Sequence, residues 1–268
     1  MLPLKWVNGK WLGLFNNYYL KGRVVDFHHF IITRFNVNIY EIDFPLRLED
    51  TWLAERFELF QKYCFPSIQA QRNQDFSWLV LFDEKTPARY KGLIDAYAKY
   101  QNFIPLYSDS YSSNMPIVVD RMHEIAPDVD WFLTTRLDND DALAVGFVHC
   151  LQGIVHSLTA EQLGPKENLF INFTKGLQLN EGTFYDFEDA TNAFASLIER
   201  SANPHTIFWV DHPSIHDVAP VLQADTQPLW LQNVHETNVY NYVRGTKLDT
   251  VDISKEFPHL CADEGHGV

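Results

Sequence analysis

The run Thr134-Thr-Arg-Leu-Asp-Asn-Asp-Asp141 gathers three carboxylates and an amide directly behind an apolar stretch of strand length. Residues two apart in an extended chain point the same way, so Asp138 and Asp140 can aim at one point. Paired hard oxygens suit Mg²⁺ or Mn²⁺, which binds a few carboxylates and keeps positions for substrate phosphates. Packed together without partners, such anions repel one another. The structural alternative is a turn in which Asp140 or Asp141 caps a helix starting at Ala142, a use that Asp and Asn both favour. A calcium loop of the EF type starting at Asp138 fails on spacing, because its sixth and twelfth residues, Leu143 and His149, stand where Gly and Glu are required. An aspartyl-phosphate enzyme would use a strand-end Asp as nucleophile, and no companion motif accompanies this one. The pair His212 and His216 has the i, i+4 spacing of a helical zinc site, but its second position is Pro213 rather than Glu and no third ligand is indicated.

These residues need a scaffold, and the apolar patterning predicts one. His29 to Arg34, Phe76 to Phe82 and Trp131 to Thr135 are β-branched and aromatic runs of strand length. Their near-continuous apolarity indicates strands buried on both faces, as in a parallel sheet. Between them lie helical periods. Leu53, Phe57, Phe60 and Cys64 share one face of a helix over Thr51 to Cys64. Thr86-Pro87 reads as an N-cap and first helical position, a third helix is expected near Pro116, and a fourth from Ala142 to Leu158. Alternating strands and helices predict an α/β fold with a mainly parallel sheet flanked by helices, whose ligands bind at the carboxyl ends of the strands. Those ends carry Arg34 and Asn36, then Asp83, then Arg136 to Asp141. Farther on, Asn168 to Phe173 and Thr206 to Val210 are expected as strands, Ala190 to Arg200 as a short helix, and Arg244 to Val268 as surface structure.

Composition narrows the partners. The 268 residues carry 21 Lys and Arg against 35 Asp and Glu, a formal charge of −14 that repels a nucleic-acid backbone and an anionic membrane surface. An anionic small substrate therefore needs a metal cation or a few placed arginines to reverse the local field. Cys64, Cys150 and Cys261 lie far apart with no CxxC, which speaks against a disulfide framework and fits a reducing compartment. Met1 to Tyr19 has Lys5, Asn8, Lys10, Asn16 and Asn17 among its apolar residues, so no signal peptide is expected, and no window has the length of a membrane span. The expectation is a cytoplasmic protein without a membrane span. Aromatic residues, 15% of the chain, suit stacking on flat ligands, although burial is their commoner use.

Several segments in order resemble one family. His29-Phe-Ile-Ile-Thr-Arg-Phe-Asn36, Cys64-Phe-Pro-Ser-Ile-Gln69, Trp78-Leu-Val-Leu-Phe-Asp83, Thr134 to Leu143 and Trp230-Leu-Gln-Asn-Val-His235 are similar to the rhamnosyltransferases, a group related to the GT-A glycosyltransferases that carry a DxD motif. The resemblance runs from about His29 to Tyr242 and implies a GT-A-like, Rossmann-like fold with an acceptor-side C-terminal extension. It implies that Asp138 and Asp140 hold Mn²⁺ or Mg²⁺ against the diphosphate of a nucleotide-sugar donor, where a fixed dication stabilises the departing group. It further implies a metal-shell role for His235, and donor binding by Arg34, Asn36, Asp83, Arg121 and Arg136 together with Asn139 and Asp141 of the central run. Arg136 has the alternative of a structural ion pair with the neighbouring carboxylates, and Arg121 that of a solvated helix residue. Inverting transfer needs a general base. Glu188-Asp189 resembles an acidic pair used so in related enzymes, Glu199 lies in another matching segment, and Asp189 is the first choice.

The reading is one glycosyltransferase domain over 1–268, with a nucleotide-sugar and metal half at about 28–145, an acceptor half at about 146–243 and a tail at 244–268. The partners expected are a nucleotide-diphosphate sugar donor and a saccharide or glycan acceptor, and no nucleic acid. Two alternatives stay open: a non-catalytic nucleotide- or carbohydrate-binding module, and a metal-dependent phosphohydrolase using the same Asp cluster.

Overall fold

Strands that are apolar on both sides need cover on both sides, and the chain supplies it by alternating them with helices. The structure is a computed structural model; it describes residues 4–7, 10–12, 25–40, 44–159, 163, 168–236 and 242–261. Most of the amino-terminal stretch read for a signal peptide, and the last residues of the tail, lie outside the described residues.

In chain order, a hairpin of β1 (Leu4–Val7) and β2 (Lys10–Leu12) precedes β3 (Phe27–Arg34). The helix expected to end at Cys64 runs farther: α1 (Asp50–Leu59) passes through a π-helical turn at Phe60–Cys64 into α2 (Phe65–Gln69). Pro66 has no N–H to offer Lys62, and the chain widens immediately ahead of it. Next come β4 (Ser77–Asp83), α3 (Ala88–Tyr97), β5 (Phe103–Ser108), α4 (Tyr111–Ile125) and β6 (Trp131–Arg136). β5, which patterning alone does not single out, contains Pro105 and ends the sheet, where a missing N–H is tolerated. α4 starts a turn before Pro116 and carries that proline in its second turn.

The helix expected from Ala142 begins instead at Phe147. Ala142 and Leu143 form β7 (Ala142–Leu143), and only then does α5 (Phe147–Ser157) follow. The second half contributes β8 (Asn168–Phe173), β9 (Lys175–Asn180), β10 (Thr183–Glu188), β11 (Ser196–Arg200), α6 (Ile215–Val218), β12 (Val221–Asp225), β13 (Trp230–Asn233) and β14 (Thr246–Lys247). Glu181 and Gly182 join β9 to β10 with φ of 47° and 75°, the left-handed pair that a tight hairpin needs. Two expectations fail here. Ala190 to Arg200 is not a helix: its last five residues are β11, paired on both sides, so sheet partners override an Ala-containing helical pattern. Thr206 to Val210 is not a strand, because Thr206 sits at φ 65° and its carbonyl accepts from Trp209 in a turn.

The strands form a nine-stranded sheet in the order β2-β1-β12-β8-β11-β6-β3-β4-β5 and a five-stranded sheet in the order β14-β10-β9-β13-β7. β6, β3, β4 and β5 are mutually parallel, whereas β11 runs antiparallel to both its neighbours. The expected α/β architecture with a mainly parallel sheet flanked by helices is the one observed. Alternate residues of β3, β4 and β6 feed two cores. Ile31, Trp78, Val80 and Leu133 face α1 and α5, and Phe30, Leu79, Leu81 and Phe132 face α4. The aromatic rings are largely spent here: Phe60 alone contacts Phe35, Phe65, Trp78, Tyr97 and Phe103. The tail is not merely superficial, since Phe257 is fully buried and the Glu256 carbonyl accepts from Val145. Among the described residues no helix is long and apolar enough to cross a membrane.

One polar ladder crosses the sheet interior. Gln152 Nε2 lies 3.3 Å from His29 Nδ1 and donates to it, so His29 Nε2 carries the proton and donates to Thr135 Oγ1 at 2.9 Å. Thr135 Oγ1 in turn meets Ser196 Oγ at 2.7 Å, joining β3, β6 and β11. Burial, with a smaller push from His28, lowers the His29 pKa to about 3. The unfolded chain protonates this ring near pH 6.5, whereas the folded one resists until about pH 3. Stability from this group is therefore complete above pH 6.5 and falls as pH drops toward 3, by about 1.4 kcal/mol per pH unit. His29→Asn is expected to lower stability at pH 7 and to flatten the slope of unfolding free energy against pH between 6 and 4, as read by urea unfolding.

Candidate active site

The chain leaves β3 toward β4 on one side and returns to β6 on the other, which makes the carboxyl ends of β3 and β6 a topological switch point, the place where α/β sheets bind ligands. Arg34 and Arg136 are the last residues of those two strands. The Arg34 guanidinium lies over the Phe208 ring at 4.2 Å and Arg136 stands 5.8 Å from the same ring. Arg136 donates from Nε at 3.1 Å and Nη2 at 2.7 Å to the two oxygens of Asp138. Burial opposes the Arg136 charge, but Asp138 more than offsets it and the pKa rises; Arg136 in turn holds Asp138 below the usual carboxylate range despite burial. Among the described residues Arg34 has no such partner for its Nε, which is buried and unbonded. Burial, and then Arg136 beside it, bring the Arg34 pKa down to about 10. Two adjacent guanidiniums, one incompletely satisfied, make a local anion-seeking spot in an acidic protein.

The next residues turn to other partners. Arg56 of α1, lying 5.1 Å from the Trp52 ring, donates from Nη1 to Asp140 Oδ2 at 2.6 Å and to Asn139 Oδ1 at 3.3 Å. Asn139 Nδ2 donates to the Phe35 carbonyl at 2.8 Å, tying the loop to the end of β3. Asp141 Oδ1 accepts from the Asn233 backbone N–H at 2.9 Å. Leu143 pairs with Trp230 and Ala142 with Leu231, so β13 arrives in register, and Asp141 holds its last residue. Two residues on, His235 Nε2 is 2.9 Å from Asp140 Oδ2. The approach requires Gly176 beneath Trp230, since a Cβ at 176 would lie 2.1 Å from the indole. Burial, then Asp140 and Asp138, push the Asp141 carboxyl well above its ordinary value, with the Asn233 N–H working the other way.

Asp140 and His235 thus come together across 95 positions of sequence. Asp138 does not join them as placed: it is bonded to Arg136, and among the described residues no set of three His, Cys, Asp or Glu side chains gathers around one point. His212 and His216 likewise find no third ligand in that set. A shallow cleft of about 270 Å³ beside His235 is lined by Glu55, Glu58, Leu59 and Glu236 as well.

Other predicted residues are committed to holding the loops. Asn36 Oδ1 accepts from Asp83 N at 3.1 Å and its Nδ2 donates to Thr86 Oγ1 at 3.0 Å. Asp83 takes Arg47 Nε at 3.2 Å, Arg47 Nη2 at 2.9 Å and Lys85 N at 2.8 Å. Asn36 and Asp83 therefore lie at the carboxyl edge but lock β3 to β4, and Thr86 serves that lock rather than capping α3. Arg121 lies elsewhere. A crossover helix runs back along the sheet, so α4 carries Asn114, which donates to the Asn38 carbonyl at 2.7 Å, near the carboxyl edge. The other end of α4, where His123 meets the Ser201 carbonyl at 2.8 Å, is away from it. Arg121 belongs to that far end, exposed and paired with Glu124 at 2.7 Å.

Of the three proposed bases, Glu199 is misplaced. It sits in β11 opposite Phe132, four residues before the end of β6 and about 13 Å along the strand. Its carboxylate accepts from the backbone of His205 at 2.8 Å and of Thr206 at 2.7 Å, so it organises a loop, while burial raises its pKa. Glu188 ends β10 opposite Lys175 and is exposed. Asp189 is at the carboxyl edge, but its Oδ1 accepts from Thr191 N at 2.8 Å and Thr191 Oγ1 at 3.3 Å, and its Oδ2 is 3.6 Å from Arg244. The Thr191 carbonyl accepts from His212 Nδ1. Arg56, Arg47 and Phe208 were not singled out from the sequence, and His212 was weighed there only as half of a zinc pair; none lies in the matched motifs, and only tertiary contacts bring them in.

Over residues 27–247 the sequence matches the family described as "Putative rhamnosyl transferase". The chain belongs to this family of glycosyltransferases. No curated protein sequence matches it. Among solved structures it is similar to S. aureus TarS 1-349, at 10% identity and a TM-score of 0.42 over 77% of this chain; it spans 60% of that chain. It is also similar to the inositol-1-phosphate CTP transferase from T. maritima, with 10% identity, a TM-score of 0.39 and coverage of 78% and 90% of the two chains. A third is a "putative nucleotide-diphospho-sugar transferase" from Desulfovibrio desulfuricans G20, at 10% identity, a TM-score of 0.39 and coverage of 76% and 82%. The family assignment rests on the sequence match.

In this glycosyltransferase the Asp141 bond to Asn233 should be separable from its charge. Asp141→Asn keeps an oxygen for the Asn233 N–H and removes a repelled buried anion, so stability is expected to hold or rise. Asp141→Ala leaves that N–H unsatisfied and is expected to cost about 1–3 kcal/mol. Urea unfolding of both variants checks the order.

Proposed function

We propose that the chain moves a sugar, rhamnose or another hexose, from a nucleotide-diphosphate donor to a saccharide or glycan acceptor, with Mn²⁺ or Mg²⁺ as cofactor. The observation that carries this reading is the convergence of Asp140 Oδ2 and His235 Nε2, 2.9 Å apart, beside the Arg34 and Arg136 pair at the switch point. One carboxylate and one imidazole are a sufficient protein contribution for such a cation, because substrate phosphates complete its shell, and the imidazole suits Mn²⁺. The proposal gives the cation Asp140 and His235, and gives Asp138 the task of orienting Arg136. Arg56 fixes the Asp140 carboxylate from the opposite partner. A dication held there supplies fixed positive charge against the departing nucleoside diphosphate. Arg34 and Arg136 bind and orient the same diphosphate by charge-assisted hydrogen bonds. Their positive charge acts where negative charge develops as the sugar leaves, in a partly buried setting that strengthens the effect.

The test is thermal unfolding with UDP, dTDP or GDP, each with Mn²⁺, with Mg²⁺ or with EDTA. A ligand at a hundred times its Kd stabilises by about 2.7 kcal/mol, which for a chain of this size is a Tm shift of roughly 5–10 °C. One nucleotide is expected to give a shift that EDTA abolishes. No shift with any pair at millimolar ligand contradicts the proposal, and release of inorganic phosphate in place of nucleoside diphosphate indicates hydrolysis instead. Asp140→Asn and His235→Gln are each expected to remove the metal-dependent part of the shift and to lower kcat/KM about 10²–10³-fold, with circular dichroism confirming the fold.

A further inference from the structure

The transfer proposed above needs a group that takes the acceptor's proton; of the acidic residues singled out for it, Glu199 and Asp189 are bonded to loop backbone and Glu188 is exposed at the end of β10. We infer that His212 is the general base, accepting the acceptor hydroxyl proton on Nε2, an inference that rests on the glycosyltransferase reading. Its hydrogen bonding defines the tautomer. The Thr191 carbonyl can only accept, so His212 Nδ1 carries the hydrogen of their bond and Nε2 is left with a lone pair. Among the described residues Nε2 has no hydrogen-bond partner, and it is not one of the buried unbonded atoms.

The ring is held from behind. Asp189 Oδ1 accepts from Thr191 N and Oγ1, and Asn172 Nδ2 and Asn192 Nδ2 bond the Asp189 carbonyl at 3.0 and 3.2 Å. Asp189 is thereby a positioning residue, orienting the Thr191 carbonyl that orients His212. This backing stands at the carboxyl end of β8, near enough to Arg136 and Asp138 for both their charges to reach the imidazole. Burial and Arg136 lower the His212 pKa, against the Thr191 bond, Asp138 and Asp189, which raise it, so the ring is neutral at pH 7 and able to accept a proton. In the step, the acceptor oxygen forms a bond to the anomeric carbon while the bond from that carbon to the diphosphate oxygen breaks. The bonding pair leaves with the nucleoside diphosphate, and the hydroxyl proton passes to His212 Nε2.

The test measures nucleoside diphosphate release from UDP-glucose, dTDP-rhamnose and GDP-mannose, each with a panel of methyl glycosides as acceptors, first in the wild type. His212→Asn can still donate its amide N–H to Thr191 but has no Nε2. It is expected to lose 10²–10⁴-fold in kcat while keeping the thermal shift given by nucleoside diphosphate and Mn²⁺. Asp189→Asn keeps an oxygen for Thr191 and is expected to lose less than tenfold. In His212→Ala, added imidazole is expected to restore part of the rate, which a purely structural role would not allow. A wild type that transfers, with His212→Asn near wild-type rate or Asp189→Asn the more damaging change, overturns the base assignment alone. A wild type that neither binds nor turns over any donor overturns the glycosyltransferase reading and this inference with it.

Discussion

Three carboxylates within four residues, at the end of a buried strand, must each find a positive partner or repel one another apart. In a chain of net charge −14 no diffuse positive field supplies that partner. The structure answers residue by residue. Asp138 takes Arg136, Asp140 takes Arg56 and His235, and Asp141 takes the Asn233 backbone. Asp138 stays with the end of its own strand, whereas Asp140 recruits the first long helix and Asp141 the five-stranded sheet. The site is therefore the seam at which these parts meet. Asp141, whose donor among the described residues is the Asn233 backbone N–H, is the member whose charge the fold accommodates least well, and its raised pKa expresses that.

The two halves anticipated from sequence share one continuous sheet. β11, from the second half, lies between β6 and β8 and pairs with both, so the strand ends of the first half and the loops of the second are fixed to the same scaffold. On that scaffold charge is distributed unevenly. Arg34 and Arg136 end β3 and β6 beside Phe208, Arg56 of α1 holds Asp140, and Asp189 and His212 stand toward β8.

Much of this was legible in the amino acids. The strands β3, β4 and β6 declare themselves because central parallel strands are apolar on both faces, and the DxD-like run stands out because it gathers three carboxylates behind a strand, with a turn and helix cap as the competing reading. His235 was reachable only through family resemblance, since no local pattern separates it from the other histidines. Other features were hidden for physical reasons. β11 carries the composition of a helix and becomes a strand only because β6 and β8 flank it. Ala142 and Leu143 read as the start of a helix until β13 arrives to pair with them. Arg56 looks like any arginine on an amphipathic helix. Asn36 and Asp83 were rightly placed at the carboxyl edge, yet their bonding partners, and so their structural tasks, are set by tertiary contacts that no spacing encodes.

We propose that Asp140 and His235 form a cation site completed by a nucleoside diphosphate. Its most direct test is electron paramagnetic resonance of Mn²⁺ added with UDP, dTDP or GDP, with pulsed detection of nuclei coupled to the metal. The account predicts protein-bound Mn²⁺ with one nucleotide, coupled both to phosphorus and to an imidazole nitrogen, the nitrogen coupling vanishing in His235→Gln. Mn²⁺ that remains free with every nucleotide, or binds without any nitrogen coupling, would contradict it.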